Sequence, residues 1–145
     1  MAADALIDTG AILAVLDKSD HWHAPCHAVI RQLRYPLLTT EAVLAELFHM
    51  VGDSPSRKEA TWQFLRSGTI LLASIQHSEL HHIHTLMSRY ADRPMDFADA
   101  TLVYLATRES VGTIVTVDQT DFSVYRIGGK RRFRILPLDR PQLRL

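Results

Sequence analysis

The chain has 145 residues, with 16 Lys+Arg and 16 Asp+Glu for a formal net charge of zero; 47% of residues are apolar and 22% charged. That balance excludes a disordered acidic tail and a uniformly cationic nucleic-acid coat, and the length suits a single packed domain over residues 1–145. The zero hides a split, because residues 1–125 carry 9 basic and 15 acidic side chains while residues 126–145 carry 7 basic and one acidic.

The only cysteine, Cys26, leaves no internal disulfide and no cysteine zinc cluster, which points to a reducing compartment. The first eight residues lack the basic n-region and apolar h-region of a signal peptide. No apolar run approaches the roughly 20 residues of a membrane span. The sequence therefore predicts a cytoplasmic protein with no membrane association.

Taken in order, residues 4–8 predict a first strand and residues 11–16 a brief apolar helix. Residues 21–33 predict a second helix, with Trp22, Cys26, Val29, Ile30 and Leu33 at helical spacing. Pro36 breaks it, and residues 37–40 predict a buried strand. A helix opens at Glu41 with Val43, Leu44, Leu47, Phe48 and Val51 on one face, and residues 52–55 end it. Residues 56–67 predict a further helix with Trp62 and Leu65 turned inward. A strand is expected over residues 69–73. An amphipathic helix follows over residues 78–91, with Leu80, Ile83, Leu86, Met87 and Tyr90 on its apolar side. Pro94 interrupts, Asp96 starts a helix running to about Glu109, residues 113–117 predict a β-branched strand, and residues 134–138 a last one. Strands alternating with helices imply parallel βαβ units in a three-layer α/β/α domain.

Two acids fall where such a sheet binds ligands. Asp8 closes the first strand and Asp118 the strand of residues 113–117, and open parallel sheets bind beyond their carboxyl ends. If the two strands are neighbours, both carboxylates reach one crevice. Asp99 lies one turn beyond Asp96 at a helix start, and Glu46 interrupts an apolar helix face, a costly place for an unpaired carboxylate. Four converging carboxylates require a cation, and an all-oxygen set suits Mg²⁺ or Mn²⁺, which would support in-line phosphoryl displacement. The same positions also have structural readings. Asp96 is a good N-cap, Asp99 complements a helix dipole, and Asp8 and Asp118 are turn formers.

Four segments, in order, carry a resemblance: Leu6-Ile-Asp8-Thr9-Gly, Thr40-Glu-Ala-Val-Leu-Ala-Glu46, Met95-Asp96-Phe-Ala-Asp99-Ala, and Thr116-Val-Asp118-Gln-Thr-Asp121-Phe122. Together they resemble the PIN-domain ribonucleases of the VapC-type toxin group. The resemblance implies a parallel sheet sandwiched by helices, often dimeric, with Asp8, Glu46, Asp99 and Asp118 as the catalytic, metal-binding acids. It places Asp96, Thr116 and Asp121 around them. It also implies Mg²⁺- or Mn²⁺-dependent hydrolysis of RNA, a small antitoxin as partner and a homodimer.

Other residues compete for attention. His77, His81 and His84 share a helix flank, but no carboxylate or Cys at matching spacing completes a zinc site, so a solvated flank is expected. His21, His23 and His27 suit capping and packing, and Cys26 on an apolar stripe reads as an inert core thiol. The basic run Lys130, Arg131, Arg132 and Arg134 admits two readings. It is either an RNA-phosphate contact at the rim of the acidic groove, with Phe133 available for stacking, or a solvated hairpin edge. Residues 128–130 lack the rest of a P-loop. Two alternatives to the nuclease are a haloacid-dehalogenase-like phosphoryl-transfer domain, which would need a Lys at a later strand end, and a non-catalytic acidic scaffold that only binds a partner.

Overall fold

The computed structural model describes residues 3–141. In chain order the elements are β1 (Leu6–Ile7), α1 (Thr9–Leu16), α2 (His23–Gln32), β2 (Leu37–Thr39), α3 (Glu41–Val51), α4 (Pro55–Leu65) and β3 (Ile70–Leu72). A 3₁₀ turn (His77–Glu79) then leads into α5 (Leu80–Arg89) and α6 (Phe97–Glu109). The chain ends with β4 (Thr113–Val115), α7 (Gln119–Val124), β5 (Arg126–Ile127), β6 (Arg131–Arg132) and β7 (Arg134–Leu136).

Five strands form a parallel sheet in the order β3-β2-β1-β4-β7, with Leu6 opposite Leu38 on one side and Ile114 on the other. β1 is therefore the central strand, and Ala5, Leu6 and Ile7 have no exposed surface. The inner strands, flanked by helices, are buried on both faces, which is why β1 and β2 read as continuous apolar runs, while the edge strand β3 leaves Leu71 and Leu72 exposed. The predicted three-layer α/β/α architecture is the one observed.

Side-chain caps fix where the helices start. Asp8 accepts a hydrogen bond from the Thr9 N–H at α1, Thr40 from Val43 at α3, Ser54 from Arg57 at α4, and Asp96 from Asp99 at α6. Each satisfies a backbone donor that a helix end would otherwise leave unpaired. Asp8 and Thr40 do this directly after a strand, so strand exit and helix entry are one residue apart.

Several expectations need correction. The first strand is two residues rather than five, and the strand from Thr113 ends at Val115, because the chain then turns into α7, a helix the sequence reading missed. Residues 137–138 lie beyond the end of β7. Trp62 does not point inward: it is 48% exposed and lies against Phe48 with ring centroids 4.8 Å apart, while Thr61 is the buried residue of α4. Leu80 is also exposed, at the junction of the 3₁₀ turn and α5, leaving Ile83 as the buried anchor of that helix. Phe133 is buried edge-on against Phe122, centroids 5.5 Å apart, so it is not available to stack on a base.

Gly10 is required by close approach. A Cβ there would lie 2.4 Å from Val117 Cγ2, so α1 packs against the loop leaving β4 only because residue 10 has no side chain. Val117 is β-branched and has little rotamer freedom to yield. Gly10→Ala is expected to destabilise the fold by about 1–3 kcal/mol, typical of overpacking, measured by urea denaturation. A variant as stable as the parent would show that the loop yields freely.

Candidate active site

β1 and β4 are neighbours, so the condition for Asp8 and Asp118 to share a crevice is met. Asp8 follows β1 directly and is 2% exposed. Its Oδ1 accepts the Thr9 N–H at 2.7 Å and its Oδ2 accepts the Thr116 hydroxyl at 2.9 Å. The Thr116 Oγ1 in turn accepts the Asp118 N–H at 3.0 Å, so one hydroxyl ties the two strand ends together. Asp118 caps α7 by position, without a side-chain cap bond, and its side chain is exposed at the mouth of the crevice.

Glu46 comes from α3, the helix that begins at the carboxyl end of β2. Thr9 donates its hydroxyl to Glu46 Oε2 at 3.0 Å, which links this acid to the residue after Asp8. Asp99 stands in the first turn of α6, 8% exposed, its backbone N–H bound to Asp96 Oδ1 at 2.7 Å. The Tyr125 hydroxyl donates to Asp99 Oδ2 at 3.0 Å. Thr40 and Thr101 share a hydroxyl hydrogen bond at 2.9 Å that holds the start of α6 against the start of α3.

Electrostatics shows that these side chains form one group. Burial raises the Asp8 carboxyl to about 7, against its hydrogen bonds from Thr9 and Thr116, and the charges of Asp118 and Glu46 add to the rise. Burial raises Asp99 to about 8, helped by the charges of Asp8, Asp96 and Asp118. Glu46 is raised by desolvation and by the adjacent Asp96, and Asp118 by desolvation and by Asp121 and Asp96. Desolvation and like charge thus act in the same direction at all four acids.

The structure brings Asp8, Glu46, Asp99 and Asp118 together, with Thr116 between two of them. Asp96 keeps its capping role and also faces Glu46 closely enough to shift it. Asp121 lies one turn beyond Asp118 and pairs with Arg93 at 3.3 Å at the rim. The basic hairpin is placed elsewhere. Its turn, Gly128 and Gly129 at φ 58° and 78°, docks through a Gly128 N–H bond to Thr107 Oγ1 at 3.1 Å. Lys130 and Arg131 line a shallow depression with Thr107 and Ser110. That end of α6 is roughly 12 Å from Asp99 at about 1.5 Å per residue, so the hairpin tip is not at the rim of the acidic crevice. Lys130 is therefore not the lysine that a haloacid-dehalogenase-like site would need at the acidic end. His77, His81, His82 and His84 are exposed, and the buried Cys26 thiol is pushed up to about 12.

Three contributors escaped the sequence reading. Thr9 was adjacent to a predicted ligand and carried a local signal. Tyr125 and Gln119 did not. Gln119 is buried and donates to the Pro137 carbonyl at 2.9 Å, fastening the chain after β7 to the loop that carries Asp118.

A parallel α/β sheet with four coupled carboxylates at its carboxyl edge defines a nuclease-type domain, suited to a hard cation and a phosphodiester. The PIN domain profile matches residues 5–128, and the chain belongs to the PIN family, a family of nucleases in which divalent-metal dependence is general. It is 31% identical to Ribonuclease VapC26 of Mycobacterium tuberculosis over 134 residues, covering 91% of this chain and 99% of that protein. Its fold is similar to the crystal structure of VapC20 of Mycobacterium tuberculosis, a sarcin-ricin loop cleaving toxin. The TM-score is 0.71 at 15% identity, covering 81% of this chain and 93% of that one.

The raised carboxyls carry a stability signature. Between about pH 4 and 8 folded Asp8 and Asp99 retain protons that the unfolded chain has released, so stability falls as pH rises through that window. In the presence of a chelator, the melting temperature is expected to drop from pH 5 to pH 8. Asp99→Asn should flatten that slope and raise the melting temperature at pH 8. A parent whose stability rises over this range would contradict the assignment.

Proposed function

We propose that the chain is a Mg²⁺- or Mn²⁺-dependent endoribonuclease, cytoplasmic, acting as the toxin of a toxin–antitoxin pair. It would form a homodimer and be restrained by a small antitoxin. One observation carries the reading: Asp8, Glu46, Asp99 and Asp118 come from four separate elements to one sheet edge, where burial first and neighbouring carboxylates second raise each of them. PIN-family membership and the likeness to Ribonuclease VapC26 support RNA as the substrate, and the VapC relatives support the antitoxin.

The donor set fits a hard divalent ion. All four ligand candidates are carboxylates, and the neighbouring hydroxyls of Thr9 and Thr116 leave no soft or nitrogen donor among them. Among the described residues, no three such side chains are already closed around a single ion position. A shared cation would offset the mutual repulsion of these carboxylates. Bound there, a divalent ion supplies charge for the scissile phosphate and lowers the pKa of a water.

The chain's own groups divide the remaining work. Thr9 and Thr116 fix both oxygens of Asp8, and Tyr125 fixes one oxygen of Asp99, so the two buried acids are preorganised. Asp118, the one of the four with an exposed side chain, would accept the proton of the water that attacks phosphorus in line. Asp96 caps the helix start from which Asp99 projects, and Asp121 pairs with Arg93 beside Asp118. Arg93, kept at the rim by Asp121, and the hairpin residues Lys130, Arg131 and Arg132 contribute positive charge toward the RNA backbone from outside the crevice.

Asp8→Asn and Asp99→Asn are each expected to lower RNA cleavage by at least about 100-fold while the far-UV spectrum is unchanged, and chelator should do the same to the parent. Cleavage that survives both substitutions and chelator would end the metal-nuclease reading. Metal binding without cleavage of any RNA would favour the non-catalytic scaffold.

The hairpin is tested through salt. Replacing Lys130, Arg131 and Arg132 together by Gln should weaken RNA binding in chelator and make the log–log salt slope shallower by up to about 2, at roughly 0.7 per lost single-strand phosphate contact. An unchanged slope would leave the hairpin as a solvated edge.

A further inference from the structure

The first turn of α6 presents Asp99 with one oxygen restrained and one free. Oδ2 accepts the Tyr125 hydroxyl at 3.0 Å, whereas no hydrogen bond of the described residues reaches Oδ1. Among those residues no buried side-chain polar atom is left without a partner, so Oδ1 opens onto solvent in the crevice. The carboxylate is thus pinned from behind and open in front.

The pin is rigid. Tyr125 has no exposed surface, and its ring is held edge-on by Tyr90 at 5.1 Å and by Phe122 at 5.2 Å. The next backbone N–H, that of Arg126, is bound to the Tyr90 hydroxyl at 2.9 Å. The Arg126 guanidinium donates to the carbonyls of Ser123 and Val124, each at 2.8 Å. The phenol therefore has little freedom to follow Asp99 if that side chain turns. Without the bond, no other hydrogen bond among the described residues would fix the orientation of the Asp99 carboxylate.

We infer that Tyr125 is a positioning residue for the acidic site, acting through Asp99: its hydroxyl keeps Oδ1 facing the ion position shared with the other acids. The inference rests on the metal-nuclease reading for its consequence in catalysis, but its first consequence is in metal affinity. An outer partner that orients a ligand typically accounts for a factor of about 10–100 in affinity or activity.

The test is Tyr125→Phe, which keeps the ring packing and removes one oxygen. Mn²⁺ binding to the RNA-free protein, followed by calorimetry, is expected to weaken by about 10-fold or more. In the cleavage assay kcat should fall by a similar factor, while KM for RNA changes less than about twofold. Ile30→Val is the companion variant. It thins the core under α2, which carries none of the acids and does not pack on the Tyr125 ring, so it should lower the melting temperature and leave the Mn²⁺ affinity unchanged. Unchanged affinity in Tyr125→Phe overturns the inference, and so does an equal loss in Ile30→Val, which would make the effect one of general stability. If the parent binds Mn²⁺ but cleaves no RNA, the nuclease reading fails while the affinity comparison still decides the role of Tyr125. If the parent binds no Mn²⁺, both fall.

Discussion

Buried like charge is the constraint around which this molecule is arranged. Asp8 and Asp99 are nearly inaccessible carboxylates within one electrostatic neighbourhood, and Glu46 and Asp118 complete it. Such a group is unstable unless each member is hydrogen-bonded and the set can share a proton or a cation. The hydroxyls of Thr9, Thr116 and Tyr125 meet the first requirement for Glu46, Asp8 and Asp99, and the exposed Asp118 side chain meets it with solvent. Their raised pKa values let Asp8 and Asp99 keep protons toward neutral pH, which meets the second.

Helix starts are the device that makes the arrangement affordable. Asp8 and Asp96 cap α1 and α6 through their side chains, and Asp118 stands at the start of α7. Unpaired N–H groups and the positive end of the helix dipole favour negative charge in these places. The structural and functional readings of these aspartates are therefore not competitors. A cap at the carboxyl end of a parallel strand is already near the crevice, and the residue that starts the helix can also serve the chemistry.

The rest of the chain keeps this edge from moving. Thr116 joins the ends of β1 and β4, Gln119 ties the following loop to the chain beyond β7, and the cluster of Tyr90, Phe122, Tyr125 and Phe133 backs the first turn of α6. Gly10 lets α1 approach the loop that leads to Asp118. The tip of the basic hairpin docks on Thr107, in the half of α6 away from Asp99.

Local chemistry was legible in the sequence. Apolar runs bounded by breakers gave the alternation of strands and helices, and an acid at the end of such a run marked a sheet edge. Asp8, Glu46, Asp99 and Asp118 could be singled out because each breaks a local pattern or follows one. The extent of the short strands, the outward turn of Trp62, the burial of Phe133 and the helix after Asp118 were not legible. Each depends on which neighbour a segment meets, and periodicity does not report that. Tyr125 makes the same point most sharply, because nothing near it in sequence marks it as part of the site. Its role comes from a hydrogen bond to a residue 26 positions earlier. Sequence determined which residues carry charge and where the elements begin. Only tertiary structure decided which carboxylates share a field and which hydroxyl holds each one, because hydrogen bonds and Coulomb interactions act across space rather than along the chain.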